Sequence, residues 1–277
     1  MIARAIGLRG LRFNALLGCS IVGALVVIAI LAPWIAPHDP MRLNLPSRMA
    51  GIGSNFILGT DEFGRDTLSR LIFGARTSVL IASTTVLFAL VTGTFFGVLA
   101  GFLRGWTDRI IMTFNDAFLA FPGLLLALGF MAVFGASRNG IIIALGLAYM
   151  PVVVRVVRAT VMSIREREYV EASMVIGNSE LVTMLRHILP NCVAPVTVLA
   201  TTMFGWIILS ESALSFLGLG VPPPAPSWGN MLATARPYIN EVPHLIVLPG
   251  LCISITLLGV NMMGDAVRDW LDPKMRS

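Results

Sequence analysis

Six stretches of this chain are apolar for long enough to cross a lipid bilayer: Ala15–Ile35, Thr77–Leu103, Ala117–Phe134, Gly140–Val157, Cys192–Leu209 and His244–Gly264. A spanning helix needs about 20 mostly apolar residues, because a rise of about 1.5 Å per residue must cover about 30 Å of hydrocarbon. Hydrophobic residues fill 56% of the 277 positions and charged residues 13%. That is more apolar surface than one water-soluble core can hide, so the excess faces lipid. The expected fold class is an all-α integral membrane protein of about six transmembrane helices. The third and fourth stretches are short and separated only by 135–139. A hairpin of two spanning helices is the simplest reading there, since irregular backbone in lipid leaves polar groups unsatisfied.

Six crossings put both ends on one side of the membrane, and the arginine bias selects the side. With the N-terminus inside, the internal segments carry 13 basic residues and the external ones 7, so both termini are expected in the cytoplasm. Arg4, Arg9 and Arg12 precede the first apolar run in the manner of a signal peptide. The run is long enough to span, however, and no small-x-small cleavage site follows it, which favours an uncleaved first helix. The formal charge of +5 is spread between apolar runs and forms no stripe for nucleic acid. We divide the chain into 1–76 (tail, first helix and external loop), 77–264 (core transmembrane unit, with a cytoplasmic loop at 163–190) and 265–277 (cytoplasmic tail).

Several chemistries are excluded or disfavoured. Lys274 is the only lysine and follows Pro273, so no Walker A loop can form and the chain is not a P-loop ATPase. Cys19, Cys192 and Cys252 are isolated, and His38, His187 and His244 lack ligand spacing, so no metal site is expected. No nucleophilic triad or other catalytic set suggests itself. Asp61, Arg65 and Asp66 fall in a glycine-containing external loop and are expected to act as caps and local ion pairs. Charge within apolar segments is costly and therefore a functional candidate. Glu211, between Ser210 and Ser212, is the candidate for lining a passage; its alternative is a structural hydrogen bond or salt bridge. Arg155 and Arg158 are expected to snorkel to the interface.

Gly93, Gly97, Gly101 and Gly105 recur every four residues and stack on one side of the second apolar helix. Such a strip admits another backbone closely, which is how helices gain packing energy in lipid. The segment 211–243 contains Pro222, Pro223, Pro224 and Pro226 before Trp228, so it cannot be a continuous helix and re-enters or lies along the interface.

The segment from Ser163 to Pro190, SIREREYVEASMVIGNSELVTMLRHILP, is too polar to span yet helical in period. Arg167 and Glu171 are four apart and Arg165 and Glu168 three apart, so each pair can meet on one face. Tyr169, Ala172, Val175 and Ile176 lie toward another. Gly177 is placed to end a first helix, and Asn178 or Ser179 to cap a second that runs to Pro190. Two short helices joined by a bend suit docking into a groove on a soluble partner.

At Glu171-Ala172-Ser173, Gly177 and Ile188-Leu189-Pro190 the segment resembles the EAA loop of bacterial ABC importer permeases, with Ser173 where that family usually has alanine. The run Leu58 to Asp66, LGTDEFGRD, with Ser69-Arg70, and the run Leu214 to Gly220, LSFLGLG, with Pro226, Trp228 and Gly229, resemble signatures of the dipeptide, oligopeptide and nickel branch, C-type subunit. The resemblance implies a type I permease fold in a bacterial inner membrane. It also implies a coupling helix built from Arg167, Glu171, Ala172, Ser173, Gly177 and Pro190 that sits in a cleft of an ATPase subunit. The implied partners are a second homologous permease, one or two ATPase subunits that bind ATP and Mg, and an extracytoplasmic solute-binding protein. An ion-gradient-driven secondary transporter is the competing reading.

Overall fold

The computed structural model describes residues 2–53 and 55–271, with the backbone alone over residues 2–13. The side chains of Arg4, Arg9 and Arg12, and the tail that carries Lys274, therefore lie outside the described residues. The chain runs as α1 (Ile2–Ile35), α2 (Thr67–Leu103), α3 (Gly105–Leu119), α4 (Gly123–Phe134), α5 (Arg138–Arg165), α6 (Glu168–Val175), α7 (Glu180–Thr183), a π-helical turn (Met184–Ile188), α8 (Leu189–Phe216), α9 (Trp228–Ala235) and α10 (His244–Leu271). Five helices are individually long and apolar enough to span, and the bent pair α3–α4 brings the number to six. Large apolar side chains face outward, as Leu16, Val27, Ile30 and Trp34 do on α1, which is the arrangement lipid requires.

The centre of the bundle is the contact between α2 and α5. A methyl placed on Gly93, Gly97 or Gly101 would lie 2.5, 2.7 or 2.8 Å from the Cβ of Val153, Val157 or Val161, respectively. All three valines are fully buried. Glycines every four residues on one helix thus receive valines every four residues on the other. The fourth glycine departs from the expectation. Gly105 has open space around it and φ +59°, and with Arg104 at φ +56° it breaks the chain between α2 and α3. A second close contact, not anticipated from sequence, joins α1 to α10 in antiparallel sense through Gly18 against Met263 and Gly259 against Ile21.

The residue order in the α2–α5 contact shows that these helices run parallel. Parallel spans require a return crossing between them, and only α3–α4 is available. The expected straight helix over 117–134 is absent: α3 and α4 meet at 98° across 120–122. Pro122 is the physical reason, because it disfavours helical backbone at the residue before it. The expected turn after α4 does form, with Gly135 at φ +77° and Ser137 capping α5 through the Gly140 N–H at 3.0 Å.

Other expected boundaries move for identifiable reasons. α2 starts at Thr67, ten residues before its apolar run and inside the division drawn at residue 77, because Asp66 caps it by accepting the Ser69 N–H at 2.9 Å. The helix after Ser179 does not stop at Pro190 but continues to Phe216. Proline clashes with the carbonyl four residues back in an α-helix. The widened turn immediately before it, where the Leu189 N–H bonds the Met184 carbonyl, relieves that clash.

Replacing Gly97 with leucine is expected to lower the midpoint of thermal unfolding in detergent, with a cost of about 1–3 kcal/mol from overpacking. Gly23→Ala, at a glycine with nothing nearby, should leave that midpoint within a degree or two. Equal effects of the two substitutions would contradict the α2–α5 interlock.

Candidate functional site

Two regions stand out at opposite ends of the parallel pair α2–α5. Beyond the end of α5, α6 is held by Val170 and Ser173, both buried, while Glu171, Ala172, Val175 and Ile176 are exposed. Val175 and Ile176 are 86% and 82% exposed, two adjoining large apolar side chains that this chain leaves uncovered. Gly177 has φ +97°, a left-handed conformation that favours glycine, and it turns the chain from α6 toward Ser179, which caps α7. Ser173 does more than replace an alanine. Its hydroxyl lies 3.3 Å from Thr183 Oγ1 and accepts from Asn178 Nδ2 at 3.0 Å, pinning the bend from inside. Neither expected ion pair forms. Arg167 serves as the N-cap residue, its carbonyl accepting the Glu171 N–H, and Arg165 packs over the Phe102 ring at 5.3 Å. The connection to α5 is instead tied by Arg104 and Glu166 at 2.9 Å. Pro190 lies within the long helix behind this hairpin.

At the far end, the signature runs 58–70 and 214–229 meet in one unit. Asp61 Oδ1 accepts the N–H groups of Phe63 and Arg65, each at 2.9 Å. Its Oδ2 receives Arg65 Nε at 2.6 Å and lies 3.3 Å from Arg70 Nε. Arg65 also reaches Glu62 at 3.1 Å, and Arg70 donates to the Pro40 carbonyl at 3.2 Å. Gly64, at φ +72°, lets the loop close against the Asn44 backbone. The expected roles of Asp61, Arg65 and Asp66 as local pairs and cap hold. Burial raises the Glu62 pKa above the usual carboxylate range, and neighbouring Asp61 adds to the rise.

The proline-rich run is attached to this unit from the other side. Trp228 is buried, donates from Nε1 to the Leu71 carbonyl at 3.1 Å and packs on Gly74 of α2. Ser227 caps α9 in a reciprocal box with Asn230, whose Nδ2 also holds the Ala225 carbonyl at 2.7 Å. Glu211 is 1% exposed, and its Oε1 accepts from Ser215 Oγ at 2.9 Å and Ser227 Oγ at 3.0 Å. In this conformation Glu211 faces protein and fastens the proline-rich segment to α8. The i, i+4 spacing to Ser215 was a readable signal; the contact with Ser227 was not.

Arg155 and Arg158, expected to reach for the interface, each pair with an acid of this chain. Arg158 makes a bidentate pair with Asp108 at 2.5 and 2.6 Å, and Arg155 pairs with Asp116 at 2.8 Å. Both acids lie on α3, so the arginines anchor the broken helix, and their pairing could not be read from sequence separation.

A family model described as binding-protein-dependent transport system inner membrane component matches residues 93–277, and one for the N-terminal transmembrane domain of oligopeptide transport permease C matches residues 14–51. The chain belongs to the binding-protein-dependent transport permease family. Among the relatives of this permease, the di/tripeptide transport system permease protein DppC of Pseudomonas aeruginosa is 45% identical, over 95% of this chain and 89% of that one. The glutathione transport system permease protein GsiD of Escherichia coli is 39% identical, over 91% and 84%. The inward-facing MetNI methionine ABC transporter shares the fold at TM-score 0.60, with 15% identity, over 73% of this chain and 96% of that one. The permease is therefore a multi-pass inner-membrane protein of the ABC importer type.

Asp61→Asn should destabilise the permease by about 3 kcal/mol, because two buried arginines lose their shared counter-charge. Glu62→Gln should be neutral or slightly stabilising at pH 7, since its raised pKa means that the charged form is the costly one in the folded state. That acid's contribution is largest below the ordinary carboxylate pKa and declines as pH rises through the raised value. Thermal unfolding of both variants from pH 4 to 8 checks the contrast.

Proposed function

We propose that this permease is the C-type subunit of an ATP-driven importer for peptides of about dipeptide to tripeptide size. With a homologous second permease it encloses the translocation path. The carrying observation is the hairpin of α6 and α7, which presents Glu171, Ala172, Val175 and Ile176 beyond the membrane end of α5. Its exposed apolar patch with one acid suits a cleft on a soluble ATPase, as a helix laid in a groove. The chain itself is non-catalytic: ATP and Mg are bound by one or two partner ATPases, whose movement is transmitted through Glu171, Ala172, Ser173 and Gly177. The arginine bias supports placing this hairpin and both termini in the cytoplasm. The unit around Asp61 and Trp228 then lies outside, where a solute-binding protein delivers substrate. The relatives named for di/tripeptides and glutathione support small peptides as cargo.

Proteoliposomes holding both permeases, the ATPases and the binding protein are expected to take up a dipeptide only when ATP is available to the ATPases. Glu171→Lys should reduce uptake at least tenfold and weaken co-purification of the ATPases, while leaving the unfolding midpoint unchanged. Uptake that persists without ATP and collapses with a protonophore would refute the assignment.

A further inference from the structure

Three polar features of the α3–α4 region suit water or a polar ligand better than lipid. The first is the backbone break at 120–122. α4 has 12 residues and so spans about 18 Å, well short of the roughly 30 Å of hydrocarbon. Starting from its outer end beside Ser137, it stops within the membrane thickness. The break is exposed on this chain, and α4 begins without a side-chain cap. Irregular backbone at membrane depth is tolerated only where protein buries it or water reaches it. The second is the ion pair Asp116–Arg155, whose side chains are 57% and 59% exposed. Charges on spanning helices face a bundle interior or a water-filled path. The third is Asn115, 4% exposed, with neither Oδ1 nor Nδ2 hydrogen-bonded. It lies in a cavity of about 320 Å³ whose other walls are apolar, including Phe96, Phe114, Phe118, Met150 and Val154. An amide buried without a partner carries a desolvation cost that a polar group entering the cavity would remove.

These features lie within one turn of each other along the helices, since Asn115 precedes Asp116 on α3, Val154 precedes Arg155 on α5, and the break follows α3 directly. We propose that this side of the permease lines the translocation passage, and that Asp116 and Arg155 contact the substrate there. This assignment rests on the importer reading and names the chemistry of its path. At 2.8 Å the two charges neutralise each other. They part to receive a zwitterionic peptide, the Asp116 carboxylate meeting its ammonium and the Arg155 guanidinium its carboxylate. The cavity beside them accepts an apolar side chain, with Asn115 hydrogen-bonded to the peptide backbone. Glu211, closed off by Ser215 and Ser227, takes no part in this contact.

The test uses the complete transporter in liposomes, with Cys19, Cys192 and Cys252 of this chain replaced by alanine and Phe121→Cys added. A water-soluble methanethiosulfonate should modify Phe121→Cys. Modification only by a membrane-soluble maleimide, or by neither reagent, would overturn the proposal by placing the break against lipid or the second permease. In parallel, uptake of alanyl-phenylalanine is compared with uptake of its N-acetyl and C-amide forms. Asp116→Asn and Arg155→Gln should each raise the KM for the free dipeptide about tenfold, the size of one charge-assisted contact in a partly hydrated site. Asp116→Asn should leave the N-acetyl peptide unaffected, and Arg155→Gln the C-amide. A double variant, Asp116→Arg with Arg155→Asp, that restores the wild-type KM would show a purely structural pair and refute the substrate contact. Failure of the wild-type complex to take up peptide with ATP would strike the importer reading instead. The labelling arm needs no substrate and still decides where the passage runs.

Discussion

The interlock of Gly93, Gly97 and Gly101 with Val153, Val157 and Val161 is the contact on which the rest of the permease depends. Between two helices in lipid there is no hydrophobic drive to associate, so attraction comes from dispersion at short range. Removing three side chains from one helix brings its backbone onto the β-branched side chains of the other, whose single preferred rotamer costs little to fix. Because the matched positions ascend together, the two helices are parallel. Everything between them must then return the chain across the membrane, and that task falls to α3 and α4. A straight span would have sufficed; the kink before Pro122 instead divides the return into two helices that meet at 98°.

The same parallel pair separates the two working ends. The capped start of α2 is embedded in the ionic unit around Asp61, and the end of α5 leads directly into α6. The interlocked pair thus joins the ionic unit around Asp61 to the hairpin of α6 and α7. Trp228 and Glu211 tie α9 to both α2 and α8, so displacement at one end is not absorbed by a loose loop at the other.

The motifs divide by the range over which their physics acts. Asp66 as a cap, the Asp61–Arg65 pair and the turn at Gly177 each depend on residues within four positions, and the chain displays those spacings directly. The pairs Asp108–Arg158 and Asp116–Arg155 join residues 50 and 39 positions apart. Nothing in either neighbourhood distinguishes a partnered arginine from one that reaches for lipid phosphate. Gly105 failed as a packing residue for a similar reason. It keeps the four-residue register of the strip, but the helix that would have carried the register ends before it.

The sequence alone determined that this chain lives in a membrane, crosses it about six times, bears a bent polar hairpin and forms no Walker A loop. These follow from local hydropathy, local period and the absence of a placed lysine, all of which are properties of neighbouring residues. Only the tertiary structure decided that the third crossing is broken, that the signatures around Asp61 and Trp228 form one unit, and that Glu211 is enclosed while Asp116 and Arg155 stay open. Burial and ion pairing belong to the distances between helices, and those distances are set by side-chain shape across contacts that no local pattern encodes.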